Sequence, residues 1–305
     1  MALIKTLDFN LFKKDRYQFA MQMRGCLIET GFFLLENHPI DTVLIDNNKK
    51  IFEKFFKDLT PKERMQYTTP DTFYHKGYTP MQIETGEFAN TADYKHFFQI
   101  KGDGDDYEVK ELPELKNLSE QMFHQFNNLY KNLMQAVALS LGLRVDYFDK
   151  QLGNSLMRHI HYPGHNTPVI SDEEVTIGGN IVGMCASKHT DINSLTLLFA
   201  TEPGLELFSN NQWIPIISDA SKLIINVGDM LQHHTGGLYK SGMHRVVCQS
   251  GIERTSCPFF GHRKDNESIV PLNLSTLTPD QRKKFPYKTE GEFLNVRLDQ
   301  ILKNK

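Results

Sequence analysis

The residues best suited to chemistry in this chain are His189 and Asp191, one residue apart in Lys188-His189-Thr190-Asp191. On an extended chain, positions two apart point to the same side, so this imidazole and this carboxylate can approach one ion together. The pair alone says little, because a His-x-Asp sequence arises by chance about as often as not in a chain of this composition. His244, in Ser241-Gly242-Met243-His244-Arg245-Val246, supplies a third donor at the start of a strand-like run. Two imidazoles and one carboxylate on one face of an octahedral ion suit Fe(II) and leave three positions open. A chelating oxoacid can take two of these and dioxygen the third, whereas a structural zinc site closes its coordination. Arg254-Thr255-Ser256 follows shortly after His244. The arginine fork matches a carboxylate, and a serine hydroxyl adds a donor. An arginine turned inward without an anion is costly, so an inward Arg254 calls for an acidic ligand.

These groups must be held by the surrounding elements, and the chain divides into two kinds of pattern. Residues 11–30 predict an amphipathic helix ending at Gly31, residues 32–35 a strand, and Asp41 opens a second helix running to about Asp58. Thr60-Pro61-Lys62-Glu63 is a capping box: the Thr hydroxyl accepts from the third helical N–H, and Glu63 bonds back. Leu115, Leu118, Met122, Phe126, Leu129, Leu133 and Val137 recur at steps of three and four, predicting a long helix over 114–141 whose stripe is core. After Leu143 the period changes. Short β-rich runs over 156–162, 181–186, 195–200, 204–208, 212–216, 222–227, 243–249 and 254–261 are separated by turn residues. Such a series without intervening helices predicts a jelly roll or related barrel. The expected architecture is α+β: one domain over 1–305, a mainly helical part (1–143) packed outside, and a barrel (144–305) carrying the ion site.

Composition narrows the partners. The chain has 305 residues, a formal charge of -3, 40% hydrophobic and 23% charged residues, as in ordinary globular proteins. That balance gives no reason to expect nucleic acid or an anionic membrane as partner. The mixed-charge run 101–110 reads as a solvated loop. Four cysteines, none in a CxxC pair, suit reduced thiols in a cytoplasm, with Cys185 a small buried hydrophobe. The N-terminus has no apolar run of signal-peptide length, and no stretch is long enough to span a bilayer. Nothing points to an oligomer, and a monomer is the default. Gly178-Gly179 reads as a connection rather than a nucleotide loop, Asp229 as a turn residue, and no HExxH or GxSxG motif is present.

The ordered set of segments resembles the isopenicillin N synthase-like branch of the 2-oxoglutarate/Fe(II)-dependent dioxygenases. Carrying it are Glu29-Thr30-Gly31-Phe32-Phe33 through Asn37-His38-Pro39-Ile40, then Met157-Arg158-His159-Ile160-His161-Tyr162-Pro163, His189-Thr190-Asp191 with Leu195-Thr196-Leu197-Leu198, and Gly204-Leu205-Glu206-Leu207 with Trp213. Asn226-Val227-Gly228-Asp229-Met230-Leu231 and Tyr239-Lys240-Ser241 complete it before His244. The resemblance implies a double-stranded β-helix, Fe(II) on His189, Asp191 and His244, and 2-oxoglutarate gripped by Arg254 and Ser256 with Tyr162 nearby. It implies dioxygen-driven decarboxylation to succinate, coupled to oxidation, foremost hydroxylation, of a small molecule. Ile160 stands where many relatives carry Asn or Arg. Two other functions fit the same fold: a 2-oxoglutarate-independent oxidase like isopenicillin N synthase, with Arg254 and Ser256 on the substrate, and a non-catalytic binding protein.

If Tyr162 faces the pocket, alternation turns Ile160 and Arg158 inward too, and His159 and His161 away. An inward Arg158 calls for an acidic substrate, unless it pairs with a carboxylate of the protein itself. Thr190, between the two proposed ligands, and His233, in a loop expected either to line the mouth or to be solvated, are further candidate substrate contacts. Tyr74 and Tyr78 are candidates to close over the substrate.

Overall fold

The computed structural model describes residues 4–70, 76–81, 83–84, 93–102, 107–164, 175–177, 180–248, 252–272 and 274–303. The first predicted helix is two: α1 (Phe9–Lys14) and α2 (Arg16–Glu29). They part at Asp15, which is extended at φ −149° and caps α2 by accepting from the Gln18 N–H at 2.9 Å. Helix α3 (Thr42–Lys57) starts at Asp41, whose carboxylate accepts from the Val43 N–H at 2.8 Å. Helix α4 (Pro61–Met65) carries the predicted capping box, and α5 (Glu114–Ser140) is the long helix with its buried stripe.

Strands β1 (Thr6–Asp8), β2 (Phe32–Glu36), β3 (Gly77–Thr79) and β4 (His96–Ile100) precede the barrel runs. The latter are β5 (Leu156–Tyr162), β6 (Val175–Ile177), β7 (Asn180–His189), β8 (Leu195–Phe199), β9 (Leu205–Ser209), β10 (Gln212–Pro215), β11 (Lys222–Val227), β12 (His244–Cys248) and β13 (Arg254–Gly261). An eight-stranded sheet has the order β1-β2-β11-β8-β13-β5-β4-β3, and a five-stranded sheet the order β10-β9-β12-β7-β6. The two face each other as a jelly roll. The region before residue 143 is therefore more than a helical cover, since β1 to β4 sit in the larger sheet. β4 escaped the sequence pattern because all five of its residues are buried and no polar alternation marks it.

Alternation along the larger sheet sorts its side chains into two layers. Phe33, Leu35, Phe98, Leu195, Leu197, Leu223, Ile225 and Phe259 pack with Phe19, Phe52, Phe126 and Leu133 of the helices in one continuous apolar cluster. Phe32, Leu34, Phe97, Ile160, Tyr162 and Ile224 face Ala186, Leu205, Leu207 and Val246 of the smaller sheet. The space between the sheets is where inward polar residues must find partners. Helix α6 (Asp229–His234) joins β11 to β12, and helices α7 (Pro279–Arg282) and α8 (Glu290–Lys303) close the chain. No described helix is long and apolar enough to cross a membrane. Cys26 and Cys257 are free and buried, but Cys185 is disulfide-bonded, so the expectation of reduced thiols throughout is corrected at that residue.

Candidate active site

His189 closes β7 and His244 opens β12, and the two are direct partners in the antiparallel ladder. That pairing puts both imidazoles at one end of the smaller sheet, with ring centroids 4.3 Å apart. Asp191 lies just past the strand end. Its Oδ1 is 3.7 Å from His189 Nε2 and 3.6 Å from His244 Nε2. Among the described residues, these three form the one group of histidine, cysteine and carboxylate side chains placed to hold a metal, with donor atoms all within 4.8 Å of one another.

The groups behind the three donors leave each with one free atom aimed inward. His189 Nδ1 donates to the Ser187 carbonyl at 2.7 Å, and His244 Nδ1 to the Gly242 carbonyl at 3.0 Å. This fixes both tautomers with an unprotonated Nε2 facing Asp191. Asp191 Oδ2 accepts from Thr196 Oγ1 at 2.5 Å and Asn226 Nδ2 at 2.8 Å, so Oδ1 remains. Thr196 of β8 and Asn226 of β11 are themselves cross-strand partners. Burial opposes charge on Asp191, but His244, His189 and the Asn226 and Thr196 donors outweigh it and hold the carboxyl below its ordinary range. Burial, then the neighbouring His244, push His189 down to about 4, keeping it neutral as a ligand must be. The loop is anchored at Gly228, where a Cβ would lie 2.1 Å from the Asn193 carbonyl oxygen. Beside it, the Asp229 N–H donates to the Asp191 carbonyl at 2.7 Å.

Arg254 and Ser256 lie on the inner face of β13, and Arg254 pairs in register with Tyr162 of β5. Arg254 is buried, with its guanidinium carbon 4.9 Å from the Tyr162 ring centroid. Its Nε and Nη1 have no hydrogen-bond partner among the described residues. A buried guanidinium with orphaned N–H groups is strongly unfavourable unless an anion completes it, and a 2-oxoglutarate carboxylate is such an anion. The donor triad thus fits Fe(II), and Arg254 fits its oxoacid.

Arg158 does project to the inner face, but it finds its anion within the protein. Its Nη1 is 3.1 Å from Glu84 Oε1, and its Nε donates to Gln99 Oε1 at 2.5 Å. Of the two outcomes expected for an inward Arg158, the structure shows pairing with a carboxylate of the protein itself. Lys95 Nζ joins the group, 3.1 Å from Glu84 and 2.8 Å from Asp93. Burial opposes charge on Glu84, yet Arg158 and Lys95 hold it down at about 2. Burial likewise opposes charge on Lys95, and Asp93 and Glu84 raise its pKa above the ordinary lysine value.

The remaining candidates scatter. Thr190 Oγ1 donates to Asp229 Oδ2 at 3.0 Å, and Arg297 of α8 reaches the same oxygen at 3.4 Å. Asp229 therefore begins α6 and bridges the ligand loop to α8, where a turn residue was expected. His233 neither lines a mouth nor is solvated: it is buried in α6, with Nδ1 donating to the Ile269 carbonyl at 2.8 Å and Nε2 accepting from the Tyr287 N–H at 3.3 Å. No ring nitrogen is left for a ligand. Tyr78 is buried beneath the helices against His96, not over the site. Tyr74 lies outside the described residues, as do His165 and Gly178-Gly179. Thr196, Asn226, Glu84 and Asp93 were not foreseen. The available signal for the first two was a polar residue at an inward position of an otherwise apolar strand, in LTLLF and KLIINV.

A jelly roll with an open His-Asp-His donor set on one sheet, and on the inner face of the other a buried arginine without a hydrogen-bond partner for Nε and Nη1 among the described residues, fits an iron- and oxoacid-dependent oxygenase. Relatives agree. The family model of the 2OG-Fe(II) oxygenase superfamily matches residues 153–263, and the N-terminal model described as "non-haem dioxygenase in morphine synthesis" matches residues 4–122. The 2-oxoglutarate-dependent dioxygenase caaD of Aspergillus niger is 28% identical over 277 residues, covering 85% of this chain and 82% of that protein. The crystal structure of a 2OG-Fe(II) oxygenase family protein from Caulobacter crescentus superposes with a TM-score of 0.84 at 29% identity, covering 99% of this chain and 100% of that one. A full-length Neurospora crassa protein, solved in complex with α-ketoglutarate and thymine, gives a TM-score of 0.81 at 25% identity, covering 97% of this chain and 96% of that one. The chain belongs to the 2-oxoglutarate/Fe(II)-dependent dioxygenases of the isopenicillin N synthase-like family.

Proposed function

We propose that His189, Asp191 and His244 hold the Fe(II) of this dioxygenase, and that Arg254 and Ser256, with Tyr162 alongside, receive the distal carboxylate of 2-oxoglutarate. The observation that carries this is the buried Arg254, whose Nε and Nη1 lack any partner among the described residues. Iron, 2-oxoglutarate and dioxygen supply the oxidising power, with succinate and carbon dioxide leaving as a substrate C–H bond is oxidised. The protein's part is to bind, orient and exclude. Thr196 and Asn226 keep Asp191 Oδ2 occupied so that Oδ1 alone faces the ion. The backbone carbonyls of residues 187 and 242 hold both imidazoles in one tautomer. The apolar lining of Phe32, Leu207 and Val246 keeps the surroundings dry. The substrate is a small molecule admitted beside these groups.

The test is conversion of 2-oxoglutarate to succinate by the Fe(II)-loaded enzyme. Arg254→Met should raise the 2-oxoglutarate concentration needed by roughly 30-fold or more, the equivalent of losing ~2 kcal/mol or more from a buried charge pair. Arg254→Lys should restore only part, since an ammonium cannot copy the fork. Substrate oxidation with no 2-oxoglutarate present would replace this reading with that of a 2-oxoglutarate-independent oxidase.

A further inference from the structure

Arg158, Lys95, Glu84 and Asp93 form a closed group of two cations and two anions whose charges cancel. Arg158 lies on the inner face of β5, in phase with Ile160 and Tyr162, and its guanidinium carbon sits 4.3 Å from the Phe97 ring centroid. Both Glu84 oxygens lie against its Nη1, at 3.1 and 3.2 Å, and its Nε is taken by Gln99. Lys95 reaches Glu84 from the other side at 3.1 Å and is fixed by Asp93 at 2.8 Å. Asp93 Oδ1 accepts the Ser187 N–H at 3.0 Å, and the Ser187 carbonyl accepts from His189 Nδ1 at 2.7 Å, so the group is tied to the strand that carries the metal donor. Glu84 and Lys95 are both close enough to His189 to interact with it electrostatically.

We propose that Glu84 fills, from within the protein, the anion position formed by Arg158 and Lys95, so that the site selects an uncharged, hydrogen-bonding molecule over a carboxylic acid. This rests on the metal and co-substrate assignments above, and names the substrate class of that same site. A substrate carboxylate brought to Arg158 would lie against Glu84, and like charges so placed repel strongly. A neutral amide, lactam or ring imide meets no such opposition. Such a molecule offers N–H and C=O side by side, a donor for a Glu84 oxygen and an acceptor for the Lys95 ammonium. Selection here works by excluding the wrong charge as much as by attracting the right shape.

The experiment uses the protein loaded anaerobically with Fe(II) and 2-oxoglutarate, and acetate as the anion probe. Binding is followed by calorimetry and by the arginine Nε–H resonances in NMR spectra. Glu84→Gln should bind acetate about tenfold or more tightly than the wild type, because Arg158 and Lys95 lose their internal anion. The gain should vanish in Glu84→Gln/Arg158→Gln. Acetate binding the wild type as tightly as Glu84→Gln, or a gain that survives in the double variant, overturns the proposal. A second arm presents matched amide and acid pairs to the wild type. A carboxylate turned over better than its amide would also overturn it, whereas preference for the amides supports it. Fe(II) and 2-oxoglutarate binding to the wild type, measured separately, show whether the underlying assignments hold, so the two failures are distinguishable.

Discussion

Strand β5 separates two groups of histidines that look alike in sequence and behave differently. Inside the barrel, His189 and His244 each spend Nδ1 on a backbone carbonyl and present Nε2 to Asp191. On the opposite face of the larger sheet, His159 stacks on Phe52 with centroids 3.6 Å apart, and His161 stacks on Phe56. His161 Nδ1 is 2.6 Å from His96 Nε2, its Nε2 meets Glu253, and His96 Nδ1 meets the Tyr78 hydroxyl at 3.0 Å. Those rings consume one another's nitrogens. Burial lowers the pKa of His189 inside as it does of His96, His159 and His161 outside, so a lowered pKa does not separate a ligand histidine from a structural one. What separates them is whether a lone pair is left over and aimed at another donor.

The largest effect should come from breaking the inner set. His189→Ala, Asp191→Ala and His244→Ala should each abolish Fe(II) binding and succinate formation, with losses beyond the roughly 10–100-fold typical of groups behind metal ligands. Melting temperatures should stay close to wild type. Retained Fe(II) affinity in His244→Ala would remove that residue from the triad. The next effect sharpens the contrast: Thr196→Val removes one of the two hydrogen-bond donors to Asp191 Oδ2, leaving Asn226 and all three metal donors in place. Fe(II) affinity should fall by about 10–100-fold, measured by equilibrium binding, and an unchanged affinity would mean that Thr196 only fills space.

The smallest effect on activity belongs to the outer set, and it appears instead as stability. His159 is pushed by burial from its ordinary 6.5 down to about 3. Its folded pKa is depressed, so the fold favours the neutral ring. Its contribution is fully present above about pH 6.5 and is lost as pH falls toward about 3. In that window it should cost up to ~1.4 kcal/mol per pH unit. His159→Phe should flatten the acid side of the stability curve, measured by urea unfolding between those limits, while Fe(II) binding and succinate formation stay near wild type. A pH slope equal to wild type would mean that His159 titrates freely in the folded protein.

Much of the site was legible in the residue order because strand parity is local. Once His189-x-Asp191 is placed at a strand end, the two side chains share a face whatever the rest of the chain does. With Tyr162 turned inward, as the family resemblance implied, the same rule put Ile160 and Arg158 on its surface and turned His159 and His161 to the other. Helix caps at Asp41 and Thr60 were legible for the same reason, each resting on hydrogen bonds within a few residues.

Only the tertiary structure decided which groups those side chains meet. Arg158 pairs with Glu84, 74 positions away, and Asp191 is held by Asn226, 35 positions away. Asp93 reaches Ser187 across 94 positions. Parity fixes the direction of a side chain, but a charge takes whichever partner the loops deliver to it. That delivery depends on sheet order and loop path, which no local period encodes. For that reason the sequence alone could identify an inward arginine as wanting an anion, and could not say that the protein itself supplies it.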